Sequence, residues 1–477
     1  MPAARNFFGE NIMNKIKLLT CVTFVSLMST SAIADGHGNH VYGPFPVTLK
    51  GYSGDKTNSV SYSGQVGRQL LHNSLKKALS KDASLETLQS YFNGSDGNLP
   101  ILDPVSSDKF IVDHTNVNDI SKTNLSGKAY KGEMAGWPGG MTGKEVLASM
   151  IAHGADAPGG YDEKHGYDYA QLVSKFMMGG VFYHQACDNY LDEKLEAGNK
   201  PNNKPYKDGA YYTGKEHSWD EAFGYWGAAA HGATLTPKQN YNVAKKKDMI
   251  SADANSDGVV NLKSEMNYAH AYYASAFDKG GKTKYYNTIT QAFIDGRQVI
   301  ADANGDALSE TERNTIMGKA RVICSNWERV IAEAVFKYAG SVYGDLEKLK
   351  SGGDAKTYRG YVKHWGELKG FALSLHTSNQ NLGELGQKID GLIKFGPVVG
   401  GVSPSQITMN TRRVSGVDDA GNYTFQDASV DEYMLYMLRL QKLMEDEFGV
   451  VAKNKDKLAG ISNLAEKLGS GESVEND

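Results

Sequence analysis

After residue 34 the sequence has no apolar run approaching the ~20 residues that a bilayer-spanning helix requires. It also lacks an excess of charge of either sign: 51 basic residues face 55 acidic ones, a formal net charge of -4. That balance provides no field for steering toward DNA or anionic lipid, so nucleic acid is not an expected partner. Cysteine is scarce, with three in 477 residues. Several catalytic signatures are missing: there is no H-E-x-x-H, no G-x-S-x-G elbow, no P-loop and no Rossmann glycine fingerprint. The missing zincin motif counts against a hydrolytic zinc site. What remains is ordinary globular usage, 40% hydrophobic and 22% charged, which excludes collagen, a disordered chain and a membrane bundle.

The start of the chain reads as a targeting segment. From Met13 it runs Asn14-Lys15-Ile16-Lys17, then an apolar stretch from Leu18 to Met28, then small residues ending Ala32-Ile33-Ala34. This is a basic region, an apolar region and an A-x-A cleavage signal, with Met13 as the expected true start and residues 1–34 removed. The mature protein is then expected to be soluble and periplasmic or extracellular. Thr20 is too large for the residue preceding a lipidated Cys21. Removal of Cys21 leaves Cys187 and Cys324, an even number in an oxidising compartment. A disulfide and a pair of buried free thiols both remain open, because spacing alone does not bring two Cα atoms within bridging distance.

Beyond the leader, residues 35–60 form an extended arm with one short strand expected near Val47-Thr48-Leu49. Helical periodicity follows. Val66, Leu70, Leu71, Leu75 and Leu79 mark one helix over 65–79, and Tyr169, Leu172, Val173, Phe176 and Met177 make the stripe of another. Tyr433, Met437, Leu440, Met444 and Phe448 mark a third over 431–448, with Asp427 or Ser429 as its N-cap. The reading is a predominantly all-α fold with little or no β. A first helical half spans 61–245, a calcium-type loop and helix start 246–270, a second helical half 271–450, and a polar tail 451–477. Long Gly-rich loops cover 124–142, 154–166 and 196–215.

Two strings share W-x-E-x-x-G at an offset of 146 positions: His217-Ser218-Trp219-Asp220-Glu221-Ala222-Phe223-Gly224 and His364-Trp365-Gly366-Glu367-Leu368-Lys369-Gly370-Phe371. On a helix, His364 and Glu367 share a face, and His217 reaches Asp220 and Glu221 in the same way. Imidazole with carboxylate suits iron or zinc, so His217, Asp220, Glu221, His364 and Glu367 are candidate metal ligands. The alternative is that each histidine is an ordinary hydrogen-bonded residue beside an acid.

The segment Asp253-Ala254-Asn255-Ser256-Asp257-Gly258-Val259-Val260-Asn261 matches the opening of an EF-hand calcium loop. Asp253, Asn255 and Asp257 supply side-chain oxygens, Val259 a carbonyl, and Asn261 and Glu265 complete the set, although the acid falls one place after the usual twelfth position. A solvated turn capping a helix from Leu262 is the alternative. Asp302-Ala303-Asn304-Gly305-Asp306 is a weaker echo, read as a turn. Asp35-Gly36-His37 at a cleaved N-terminus could wrap Cu(II) or Ni(II). His184 reads as a core polar residue.

Taken in order, Ser63-Gly64-Gln65, Phe176-Met177-Met178-Gly179-Gly180, Tyr183-His184-Gln185-Ala186, the W-D-E-A-F-G string, Leu262-Lys263-Ser264-Glu265, Ala292-Phe293-Ile294-Asp295-Gly296-Arg297 and the His364 string resemble a bacterial exported family of unknown function, itself similar to the imelysin-like superfamily. The resemblance spans roughly residues 45–450. It implies a duplicated antiparallel helical bundle, export, and an iron-related role through a G-x-H-x-x-E motif. His364 and Glu367 match its H-x-x-E portion, and Val362 stands where that motif has glycine. His217, Asp220 and Glu221 extend it through the internal repeat. The expectation is an exported metal-binding protein with an iron or zinc site, a structural calcium loop and an unidentified envelope or uptake partner. An imelysin-type metallopeptidase and a non-enzymatic ligand-binding module, with some of the 27 tyrosines lining a groove, are the alternatives.

Overall fold

The computed structural model describes residues 39–103, 109–378, 382–401, 403–461 and 463–464. The leader, its cleavage site and the Asp35-Gly36-His37 motif lie outside them. The first helices are α1 (Ser63–Leu79), α2 (Leu85–Asn93), α3 (Val117–Ile120), α4 (Gly143–Asp156) and α5 (Tyr169–Met177). Next come α6 (Gly214–Trp226), α7 (Pro237–Ala244), α8 (Met249–Ala252), α9 (Ala269–Asp278) and α10 (Tyr285–Asp302). The last are α11 (Glu310–Lys350), α12 (Ala355–Leu375), α13 (Gly383–Ile393) and α14 (Val430–Phe448). The protein is predominantly α. Among the described residues its sheet consists of two antiparallel hairpins, β1 (Tyr161–Asp162) with β2 (Tyr167–Asp168) and β3 (Arg412–Val417) with β4 (Tyr423–Asp427). No described helix is long and apolar enough to cross a membrane.

The expected helices occur where the apolar stripes lie, and their starts have chemical causes. Ser429 is the N-cap of α14, its side chain accepting from Glu432 N–H. Thr142, Thr213, Thr236 and Ser309 each form a reciprocal capping box with the acid or amide three residues on. The 41-residue α11 is about 60 Å long at 1.5 Å per residue and packs against α9, α10, α12 and α14. α12 in turn packs on α5, and α5 on α1 and α4. Small residues permit the closest approaches: a Cβ on Gly370 of α12 would lie 2.6 Å from Lys175 Cβ of α5, and one on Gly296 of α10 would lie 2.2 Å from the Trp219 ring of α6.

Three local expectations are corrected, and one helix continues in an unexpected form. Residues 47–49 form no strand; the arm is held by an isolated bridge between Pro46 and Asn58. No helix begins at Leu262. Asn261 Oδ1 accepts from the N–H groups of Lys263 and Ser264, closing a turn there, and the helix starts at Ala269. α5 continues as π-helix through Met178–Tyr183 and Gln185–Tyr190, with Gly179 seated against Ser374 of α12. Finally, the chain after α14 is no free tail up to residue 461. Buried Glu333 of α11 accepts from the N–H groups of Val451, Ala452 and Lys453, and Ala452 and Leu458 are buried. Cys187 and Cys324 form a disulfide joining the π-helical segment to α11.

Candidate functional site

His217 and His364 occupy separate surroundings. On α6, His217 stacks on Tyr212 and meets the edge of Tyr206, both with ring centroids 4.3 Å away, and its Nε2 lies 3.8 Å from Glu221 Oε1. Burial lowers its pKa. Glu221 accepts from Gln65 Nε2 and the Tyr206 hydroxyl. Asp220 faces away into the core, where Arg297 Nε donates to it at 2.9 Å, the Tyr42 hydroxyl at 2.6 Å and Ser61 N–H at 2.9 Å. Glu216 completes this fully buried ion network, its Oε1 lying 3.4 Å from Arg297 Nη2 and accepting from the Thr48 hydroxyl. Burial pushes the Asp220 carboxyl up to about 6 against the pull of Arg297. Asp220 is thus committed to a guanidinium, and the W-D-E-A-F-G string builds core as much as site.

His364 of α12 places Nδ1 2.5 Å from Asp345 Oδ2 of α11. Glu367, one turn on, looks into a cleft of about 950 Å³ with His364 on its wall. Eight lysines and three carboxylates line this cleft, among them Lys76 of α1, Lys175 of α5, Lys337 of α11 and Lys363 of α12, with Lys455 and Lys457 from the segment after α14. Asp345 is engaged by His364 and by Lys348 at 3.6 Å, and Glu347 by Lys457 at 2.7 Å. Glu367 remains to face Lys76, Lys175 and Lys337, and each of those lysines is held below its ordinary pKa by burial. Tyr338 hydroxyl lies 3.3 Å from both Lys337 Nζ and the Tyr273 hydroxyl. The expected acids are therefore present, but in a cationic setting. Each histidine is paired with one carboxylate, and among the described residues no group of three or more His, Cys, Asp or Glu side chains is disposed to hold a metal ion.

The acidic loop is ordered by its own oxygens. Asp253 accepts from the N–H groups of Asp257 and Gly258, Asn255 from Asp257 N–H, and Asp257 from Val259 N–H. Gly258 has φ +85°, the conformation that the sixth position of a calcium loop requires. Glu265 closes the loop, accepting from the N–H groups of Ala254 and Asn261, while the Asn261 side chain caps the next turn. Val260, the residue after Val259, bridges to Val112. His184 lies 3.1 Å from Asp188, edge-on to Tyr130, and residues 303–306 form a turn directly after Asp302, the last residue of α10.

The lysine cluster is the part that spacing did not point to. One signal is present: Lys175 is the only charged residue in the run from Leu172 to Tyr183, and a lysine inside such a stripe is either misplaced or buried for a reason. The other lysines come from α1, α11, α12, the residue that ends α7 and the terminal segment, so only folding assembles them.

No curated protein and no solved structure matches this chain. A family model described as "Domain of unknown function (DUF4856)" matches residues 50–324, more than half of the sequence, from the arm through the disulfide's second cysteine. The matched part carries α1, α5, the Asp220–Arg297 network and the acidic loop, and the chain therefore belongs to the DUF4856 family.

Proposed function

We propose that this protein is an exported binding protein whose lysine-lined cleft holds an anionic small molecule. The observation that carries the reading is the charge of that cleft: eight lysines against three carboxylates, two of them already paired, in a chain whose net charge is negative. Ammonium groups partly withdrawn from water attract carboxylate or phosphate more strongly than surface lysines do. The Cys187–Cys324 disulfide supports export, since such bonds persist in oxidising compartments. A transition metal at His217 or His364, and with it the imelysin-type kinship, draws no support from one imidazole and one carboxylate at each, where three or four ligands are needed. The same surplus of ammonium groups opposes a cation beside Glu367.

Calorimetric titration of the full chain with inorganic phosphate and with succinate, at low and high salt, tests this reading, with Zn²⁺ and Fe²⁺ titrated alongside. Saturable anion binding that weakens with salt and falls at least tenfold in Lys363→Glu and Lys455→Glu, both exposed positions, is the expected result. Metal binding without anion binding would overturn it.

A second reading concerns the loop Asp253–Glu265, which we propose as a structural calcium site. The turn at Gly258 and the inward side chains of Asp253, Asn255 and Asp257 support it. Calcium should raise the unfolding temperature and a chelator reverse the rise; equal melting with and without calcium rejects it.

A further inference from the structure

Where the cleft meets the bundle core, two lysines lie side by side. Lys76 of α1 and Lys175 of α5 both line the cleft, each withdrawn from water and each within reach of the other's charge. Two ammonium groups side by side and out of water repel each other and lose their solvation, which favours one partner as the free amine. Lys175 is that partner. It is 3% exposed, its Nζ is 3.5 Å from the Ser174 hydroxyl and 5.3 Å from the centre of the Tyr273 ring, and Gly370 of α12 presses on its Cβ. Glu367 favours an ammonium at both, and Lys76, less deeply buried than Lys175, is the one that keeps it. Burial and the neighbouring Lys76 charge both disfavour an ammonium at Lys175.

A buried free amine on the wall of an anion-attracting cleft offers chemistry that an ammonium does not: it is a nucleophile. We propose that Lys175 is a covalent anchor for anions that carry an aldehyde or 2-oxo group, held as an imine. The inference rests on the anion-binding reading of the same cleft for delivery of the ligand. The amine lone pair forms the C–N bond as the carbonyl π pair moves to oxygen, which takes a proton from Lys76. The new ammonium centre returns a proton to Lys76, giving the carbinolamine. Lys76 then protonates the departing hydroxyl, the C–O bond breaks, and the nitrogen's last proton passes back to Lys76. Amine and carbonyl become imine and water, with no oxidant or reductant. Lys76 touches the reacting groups, and Glu367 acts through Lys76 as a positioning residue.

Glyoxylate is a suitable probe, trapped on the full chain at pH 7 with cyanoborohydride and located by peptide mass mapping. Because a lowered pKa raises the free-amine fraction at neutral pH, Lys175 should be modified faster than any exposed lysine. Lys76→Met should slow trapping at Lys175, and Lys175→Met should abolish it. Modification spread evenly over surface lysines, with Lys175 untouched, overturns the anchor. If succinate binds and Lys175 stays unmodified, the anchor fails and the anion cleft stands. If Lys175 is trapped although neither succinate nor phosphate binds, the anchor stands and the anion reading fails. The mapping uses the unaltered protein, so a misfolded variant does not remove the test.

Discussion

Replacing Arg297 with methionine tests whether the W-D-E-A-F-G segment is held by buried charge. Arg297, Asp220 and Glu216 are fully buried, and the guanidinium also lies over the Phe45 ring at 4.8 Å. In the variant, Asp220 keeps two donors, Tyr42 hydroxyl and Ser61 N–H, and Glu216 keeps Thr213 N–H and Thr48 hydroxyl. What is lost is mainly positive charge, and methionine fills much of the space. Removing one member of a buried ion pair costs about 3–5 kcal/mol, because the charge left behind is uncompensated. That is a large part of the roughly 5–15 kcal/mol that holds a domain together. Urea unfolding followed by circular dichroism at pH 8 and pH 5.5 gives the measurement. With Arg297 present the Asp220 carboxyl already sits near 6. Without it the carboxyl takes up a proton more readily, so the loss should shrink at the lower pH. Adding Asp220→Asn should restore about 1–3 kcal/mol as coupling between neighbours. A loss below about 1 kcal/mol, unchanged between the two pH values, would refute the reasoning.

Three further outcomes are expected. His72 and His270 are buried with pKa lowered to about 3, so the native imidazoles stay neutral while the unfolded chain takes up protons below about 6.5. Stability should therefore fall as pH drops from 7 toward 3, by roughly 2 kcal/mol per histidine between pH 7 and 5, and His270→Leu should flatten the urea-midpoint slope; an unchanged slope contradicts this. Loss of the Cys187–Cys324 bond, which closes 137 residues, should cost up to about 5 kcal/mol by loop entropy, read as a lower urea midpoint in the double alanine variant. Gly370→Ala would push a Cβ to 2.6 Å from Lys175 Cβ and 3.1 Å from Leu172 O and Phe176 N, and should cost about 1–3 kcal/mol of overpacking; a wild-type melting temperature would show that α5 and α12 can separate freely.

The helical stripes were legible because periodicity is local: α1, α5 and α14 lie where their apolar residues recur, and Ser429 caps α14 as expected. Partners distant in sequence were not. Asp220 and Glu221 sit at ligand spacing from His217, yet Asp220 answers to Arg297, 77 positions away, and nothing in the spacing announces that choice. Lys175 reads as one face of an amphipathic helix until α12 closes over it. The β3–β4 hairpin, joined by the turn Asp418-Asp419-Ala420-Gly421-Asn422, is not legible because Arg412–Val417 shows no apolar/polar alternation. The polar segment after α14 looks solvated in sequence, but Glu333, 118 positions before Val451, and Gln441 of α14 give its backbone partners up to Lys457.

The docked terminal segment bears on how the molecule yields to force or protease. Lys455 and Lys457 line the cleft together with Lys76 of the first helix, so one cavity draws its walls from segments near both extremities of the described chain. A guest seated there would staple together segments that fray first in most proteins, and peeling from either extremity would have to evict it.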